Sequence, residues 1–144
     1  MLKYKLYQDN RSNSQFPGKW YARAAINETI GIDGLAAHMA SHNSPFSKGT
    51  IKGILADMVI CIRELTLQGV AVKIEDLAIF SLGIKTKPAD SSSKFSAQAN
   101  VESFYLRSRA TGQFTRAELK TVASISEMDK YMVEDEADDE SKNA

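Results

Sequence analysis

A single cysteine, Cys61, stands in the 144-residue chain, which excludes an intramolecular disulfide framework and a four-cysteine zinc site. Two histidines, His38 and His42, leave little material for histidine-rich metal chemistry. Their i,i+4 spacing is that of zinc-binding His-Glu-x-x-His helices, but Met39 follows His38 where that motif has glutamate. They therefore read as exposed helix histidines, and no metal or cofactor is expected. No run of about 18 apolar residues occurs, so no membrane span is expected. The start, Met1-Leu2-Lys3-Tyr4-Lys5, lacks the apolar stretch of a secretory signal, which points to a cytoplasmic protein with a reduced thiol. Gly-x-Gly-x-x-Gly, Walker and Gly-x-Ser-x-Gly signatures are all missing, and Cys61 falls mid-helix, so nothing marks an enzyme or a small-molecule substrate site.

What is present suits one globular domain. Hydrophobic residues make up 43% and charged residues 25%, near globular averages, and the length suffices for a sizeable core. The balance of 18 basic and 18 acidic residues conceals an asymmetry. Residues 127–144 carry eight acids against Lys130 and Lys142, leaving 16 bases and 10 acids in residues 1–126. The expected organisation is a basic domain over 1–126 and an acidic, disordered tail over 127–144. Such a tail either keeps the chain soluble or competes with an anionic partner for the basic body.

Residues 4–7 and 19–25 read as two neighbouring strands, joined by a polar stretch ending in Pro17-Gly18. A short helix is expected over 32–42, capped by Thr29 or Asp33 and stopped by Asn43-Ser44-Pro45. The strongest pattern follows. Between an N-capping Ser47 and a terminating Gly69, the residues Ile51, Ile54, Leu55, Met58, Val59, Ile62 and Leu65 form one apolar stripe. Each buried side chain of this kind contributes about 1.5–3 kcal/mol before entropy is charged. The short helix cannot cover the whole stripe, so the sheet or a second copy of the chain must pack there. Cys61 lies within this helix and reads as a small core or near-core residue.

After Gly69 the period falls from 3.6 to 2. Val70, Val72 and Ile74 alternate with polar positions, and Ala78, Phe80, Leu82 and Ile84 share one strand face. A basic-polar loop over 85–94 leads to a strand over 101–109, in which Phe104 and Leu106 face away from Tyr105 and Arg107. Thr115-Arg116-Ala117-Glu118 has the form of a capping box before a last short helix over 116–124.

Residues 82–120 hold seven bases, Lys85, Lys87, Lys94, Arg107, Arg109, Arg116 and Lys120, against Asp90, Glu102 and Glu118. Lys85 and Lys87 fall on one strand face, as do Arg107 and Arg109, and pairing of those strands would gather four cations on one surface. A row of this kind suits phosphates, whose neutralisation releases condensed counterions. The same charges also suit a solvated sheet edge protected against aggregation.

The order of helix, turn, long helix, glycine, hairpin, strand and short helix resembles the HU / integration host factor family. Leu35-Ala36-Ala37-His38-Met39-Ala40, the cap at Ser47, Leu67-Gln68-Gly69, Val70-Ala71-Val72-Lys73-Ile74 and Leu77-Ala78-Ile79-Phe80-Ser81-Leu82 carry the likeness. Lys19-Trp20-Tyr21-Ala22 stands where the branch with an added N-terminal strand has its tyrosine-containing run. The chain departs from the family where hairpin glycines give way to Asp76 and Ala78, and where the long basic arm is shortened, with Pro88 close behind the strand.

The resemblance implies an α+β HU-like fold with two helices in the N-terminal half, an antiparallel sheet with a shortened arm and a short C-terminal helix. It implies an intertwined homodimer built on the apolar stripe and Phe80. It also implies sequence-tolerant contacts from the seven bases to the backbone of double-stranded DNA, as in a histone-like nucleoid protein. The competing reading is an HU-like scaffold that serves as a structural or protein-interaction module without DNA affinity.

Overall fold

The computed structural model describes residues 1–128, which divide into two compact units. One comprises residues 1–29 and 122–128; the other is Ile30–Thr121. Residues 129–144, nearly all of the expected acidic tail, lie outside the described residues.

The first unit is a three-stranded sheet. Strands β1 (Leu2–Gln8) and β2 (Trp20–Ala25) pair antiparallel from Lys3↔Ala25 to Gln8↔Trp20, as the two neighbouring strands read from the sequence require. The connection closes on Asp9, whose amide donates to the Lys19 carbonyl and whose own carbonyl accepts from the Gly18 amide. Gly18 adopts φ +76°, a conformation that disfavours any side chain. A further strand, Ile125–Glu127, called β6 below, pairs parallel with the free edge of β1, so the order is β2-β1-β6. Glu127, assigned to the tail from sequence, is thus the last residue of a strand.

The second unit begins with α1 (Ile32–Ala40). Its N-cap is Gly31, without a side-chain cap, rather than Thr29 or Asp33. Asp33 instead turns to Lys52, 2.9 Å away, which lies in the following helix α2 (Lys48–Leu67). That helix begins and ends where the sequence places it. Ser47 accepts from the Thr50 amide at its start. At its end the Gly69 amide donates to the Thr66 carbonyl and the Val70 amide to the Leu65 carbonyl, the paired bonds of a Schellman turn. Gly69 supplies the required left-handed backbone at φ +80°.

Helix α2 packs on α1 and on strands β3 (Val72–Ile74) and β4 (Ala78–Thr86). Strand β5 (Val101–Ala110) pairs antiparallel with β4, giving the order β3-β4-β5. The stretch between β4 and β5 holds a 3-10 turn, Ser92–Lys94, and a single helical turn α3 (Ala97–Asn100). Lys85 and Thr86, read as loop from sequence, belong to β4. Buried Asn100 ties this connection down: its amide donates to the Lys87 and Pro88 carbonyls, and its side-chain oxygen accepts from the Ser96 amide. Pro88 therefore sits in a pinned turn at the strand end. A 3-10 turn, Gly112–Phe114, leads to α4 (Arg116–Val122), and the Thr115 hydroxyl donates to the Gly112 carbonyl.

The buried apolar residues of this unit are Ala36, Ile51 and Ala78. Only part of the α2 stripe is used within the chain: Ile51 is buried and Leu55 and Ile62 half-buried, while Ile54, Met58, Val59 and Leu65 stay exposed. At 100° per residue, Ile51, Leu55 and Ile62 line one side of the helix, with Ile54, Met58 and Leu65 beside them. Cys61 falls on that second, exposed side, so the near-core placement expected from its apolar neighbours does not hold in the single chain. Phe80 is half-buried on the apolar sheet face.

Candidate nucleic-acid interface

The antiparallel register sorts the β3-β4-β5 sheet into two chemically distinct faces. Val72↔Phe80 and Ile74↔Ala78 join Phe80↔Ser108, Leu82↔Leu106 and Ile84↔Phe104 on one face, which is apolar. Opposed residues on paired strands share a face, so the alternate positions build the other one. There Lys73↔Ile79 joins Ile79↔Arg109, Ser81↔Arg107, Gly83↔Tyr105 and Lys85↔Ser103. Lys73, Arg109, Arg107 and Lys85 therefore share one surface with Tyr105. Between the positions of Lys85 and Arg109 lie six residue steps of β5, about 20 Å at strand rise, comparable to about six base-pair steps of duplex.

Arg107 and Arg109 have no acid within salt-bridge distance among the described residues. Together with Ser81, Ile79 and Ser108 they line a shallow groove of about 260 Å³. Tyr105 lies across Gly83, where an added Cβ would stand 2.6 Å from the ring. The absence of a side chain at Gly83 is what lets the phenol lie flat on the cationic face.

The lysines at the other end are held differently. The Glu102 carboxylate reaches Lys85 Nζ at 3.2 Å through one oxygen and Lys87 Nζ at 3.8 Å through the other. The β4 register shifts between Lys85 and Thr86, and Lys87 lies just beyond the strand. The two lysines thus meet at one acid, although they do not alternate within one regular strand. Lys94 pairs with Asp90 at 3.7 Å. Arg116 and Lys120 lie on α4, outside the sheet. Of the seven bases singled out from the sequence, the sheet face gathers Lys85, Arg107 and Arg109, with Lys87 at its end. Sequence reading missed Lys73, which joins only through the β3–β4 register, and the bridging role of Glu102, whose partners lie at and just beyond the end of the neighbouring strand.

Among the described residues no group of three or more His, Cys, Asp or Glu converges. His38 and His42 meet each other, ring nitrogen to ring nitrogen at 3.1 Å. No helix among the described residues is long and apolar enough to cross a membrane.

Helix pair, three-stranded antiparallel sheet and terminal helix define an HU-like α+β domain. Residues 1–126 match the family described as an HU domain fused to wHTH, Ig or glycine-rich motifs, and the chain belongs to that family. Its fold is similar to a solved structure from Bacteroides vulgatus, described provisionally as a bacterial DNA-binding protein. The TM-score is 0.65 at 13% identity, over 88% of this chain and 47% of the other, so this chain spans about half of that structure's length. No curated protein matches the sequence.

Proposed function

We propose that the chain binds double-stranded DNA in a sequence-tolerant way, as a histone-like architectural protein of the cytoplasmic nucleoid. The observation that carries this reading is the face shared by Lys73, Lys85, Arg107 and Arg109, on which both arginines are left without an acidic partner among the described residues. Guanidinium groups offer a planar fork of donors matched to phosphate. The groups on this face recur along a sheet rather than on a helix shaped for a major groove. Contacts would therefore fall on backbone and shape rather than on base edges. Lys87, Lys94, Arg116 and Lys120 supply further contacts at the margins. Family membership and the fold likeness support the reading.

A homodimer is part of it. The apolar sheet face leaves Phe104 70% and Leu106 61% exposed, and α2 leaves Ile54, Met58, Val59 and Leu65 uncovered. A second copy would cover these surfaces and double the cationic row.

Glu102 and Asp90 favour a second reading, an HU-like interaction module without DNA affinity, since they already occupy Lys85, Lys87 and Lys94. Titration of a labelled duplex at several salt concentrations decides between them. About six phosphate contacts give a log–log slope near −5. Absence of binding at about 50 mM salt leaves the interaction module.

A further inference from the structure

The first unit repeats the division of faces seen in the second, with different side chains. The register Lys3↔Ala25, Lys5↔Arg23 and Tyr7↔Tyr21 places Lys3, Lys5, Arg23, Tyr7 and Tyr21 on one face of the β2-β1-β6 sheet. Ser126 of β6 joins that face beside Lys3, whose ammonium donates to the Ser126 hydroxyl at 2.8 Å. Leu2, Tyr4, Leu6, Ala22, Ala24 and Ile125 fall on the opposite, apolar side together with Glu127. No acid within these strands shares the face of the three cations.

The tyrosines form a defined platform. The Tyr7 and Tyr21 rings stack with centroids 5.8 Å apart and planes 29° from parallel, and each residue is 39% exposed. The Arg23 guanidinium lies 5.7 Å from the Tyr7 ring centre. Beyond the stack, the β1–β2 connection builds a cup of about 390 Å³ in which Tyr7 and Tyr21 meet Arg11, Asn13, Gln15 and Phe16.

Asp9, which is 4% exposed, and Ser14 also line the cup. The Asp9 carboxylate takes two bonds from the Arg11 guanidinium, at 2.8 and 3.0 Å, together with one from the Ser14 hydroxyl. Asp9 is consumed in holding the loop, and Arg11, with 76% of its side chain exposed, is presented at the rim.

We propose that this face binds single-stranded nucleic acid. Lys3, Lys5 and Arg23 track the phosphates, one base stacks on the Tyr7–Tyr21 pair, and Arg11, Asn13 and Gln15 meet its polar edge. Paired aromatics beside a row of cations on an open sheet form the general solution for an unpaired strand, because every base has a π-face to offer. A duplex would engage the cations but keep its bases stacked away from the rings. An acidic peptide would leave the rings and the two amides unused. The site shares no residue with the Arg107–Arg109 face, so the inference stands or falls separately from the duplex reading.

The test uses the full chain and a fluorescein-labelled oligothymidine of about 12 nucleotides, read by anisotropy at about 50 mM salt, beside a duplex of equal length. The Tyr7→Ala/Tyr21→Ala variant should weaken oligothymidine binding about tenfold or more and leave duplex binding within about twofold. Tyr7→Phe/Tyr21→Phe keeps the rings and should keep the affinity, which separates stacking from damage to the fold. Three phosphate contacts predict a log–log salt slope near −2, reduced in Lys5→Gln/Arg23→Gln.

The proposal is overturned if oligothymidine fails to bind the wild-type chain. It is also overturned if the alanine pair binds oligothymidine as tightly as wild type while folded by circular dichroism. Loss of oligothymidine binding in Arg107→Ala/Arg109→Ala, with no effect of the tyrosine pair, would place the strand on the other face and overturn it equally.

Discussion

Replacing Arg107 and Arg109 together by alanine tests the cationic sheet face most directly. Both side chains are exposed and stand opposite the apolar surface, so the change should move stability by no more than about 0.5 kcal/mol. Each phosphate contact contributes about −0.9 to the slope of log K against log salt. Two lost contacts per chain should shallow that slope by about 1.8, and a dimer engaging both copies would double the change. Between about 50 and 200 mM salt, the wild-type protein should therefore lose about twelvefold more affinity per engaged chain than the variant does. Anisotropy of a labelled duplex at four or five salt concentrations reads the slope, and a thermal melt confirms the fold. An unchanged slope at unchanged stability would mean that phosphates do not sit on Arg107 and Arg109, and the duplex assignment to this face would fail.

Glu102→Gln removes the carboxylate that bridges Lys85 and Lys87 and should strengthen duplex binding about two- to tenfold at low salt; weaker binding would show that the acid positions the lysines. Gly112→Ala forces a Cβ to within 2.9 Å of the Asp76 Cα at a residue whose φ is +52°, and should lower stability by more than about 1 kcal/mol in denaturant titration. The Arg11 guanidinium, followed by the Ser14 hydroxyl, holds the Asp9 carboxyl well below the usual carboxylate range. Its stabilising effect is fully present above the unfolded value near about 4 and is lost as pH falls through the lower folded value. The Arg11 side-chain NMR signals should thus persist at about pH 4 and change only in stronger acid, whereas Asp9→Asn should abolish them at neutral pH. Deleting residues 129–144 removes seven acids against Lys130 and Lys142, and duplex binding should tighten in gel-shift titrations if that segment competes for the basic body.

Helix α2 was legible to the residue at both ends because its signals are local: a serine whose hydroxyl caps the first turn, and a glycine at a left-handed position. The alternation from Ala78 to Ile84 likewise fixed which side of β4 is apolar. Less local features were not legible. The three residues of β6 precede an acidic run and find their partner, β1, at the far end of the chain. Lys73 joins the cationic face only through register, since a strand of three residues carries too little pattern to set its own pairing. The cap of α1 was misread because the helix starts one residue before Asp33, which falls inside it and pairs with Lys52, a contact that exists only once two helices pack. Cys61 was placed near the core because its sequence neighbours are apolar, whereas it stands on a side of the helix that the folded chain leaves to solvent.

The parity that separates greasy from cationic positions in β4 and β5 also constrains how this gene segment can change length. Adding or removing one residue between Phe104 and Arg107 would, if the residues up to Phe104 kept their present pairing, carry Arg107 and Arg109 over to the face that now holds Phe104 and Leu106. Such a chain would break up the cationic row and set its guanidinium groups among the apolar side chains. Point substitutions can be absorbed one by one here, but indels are tolerable only in pairs or at the irregularity already present between Lys85 and Thr86.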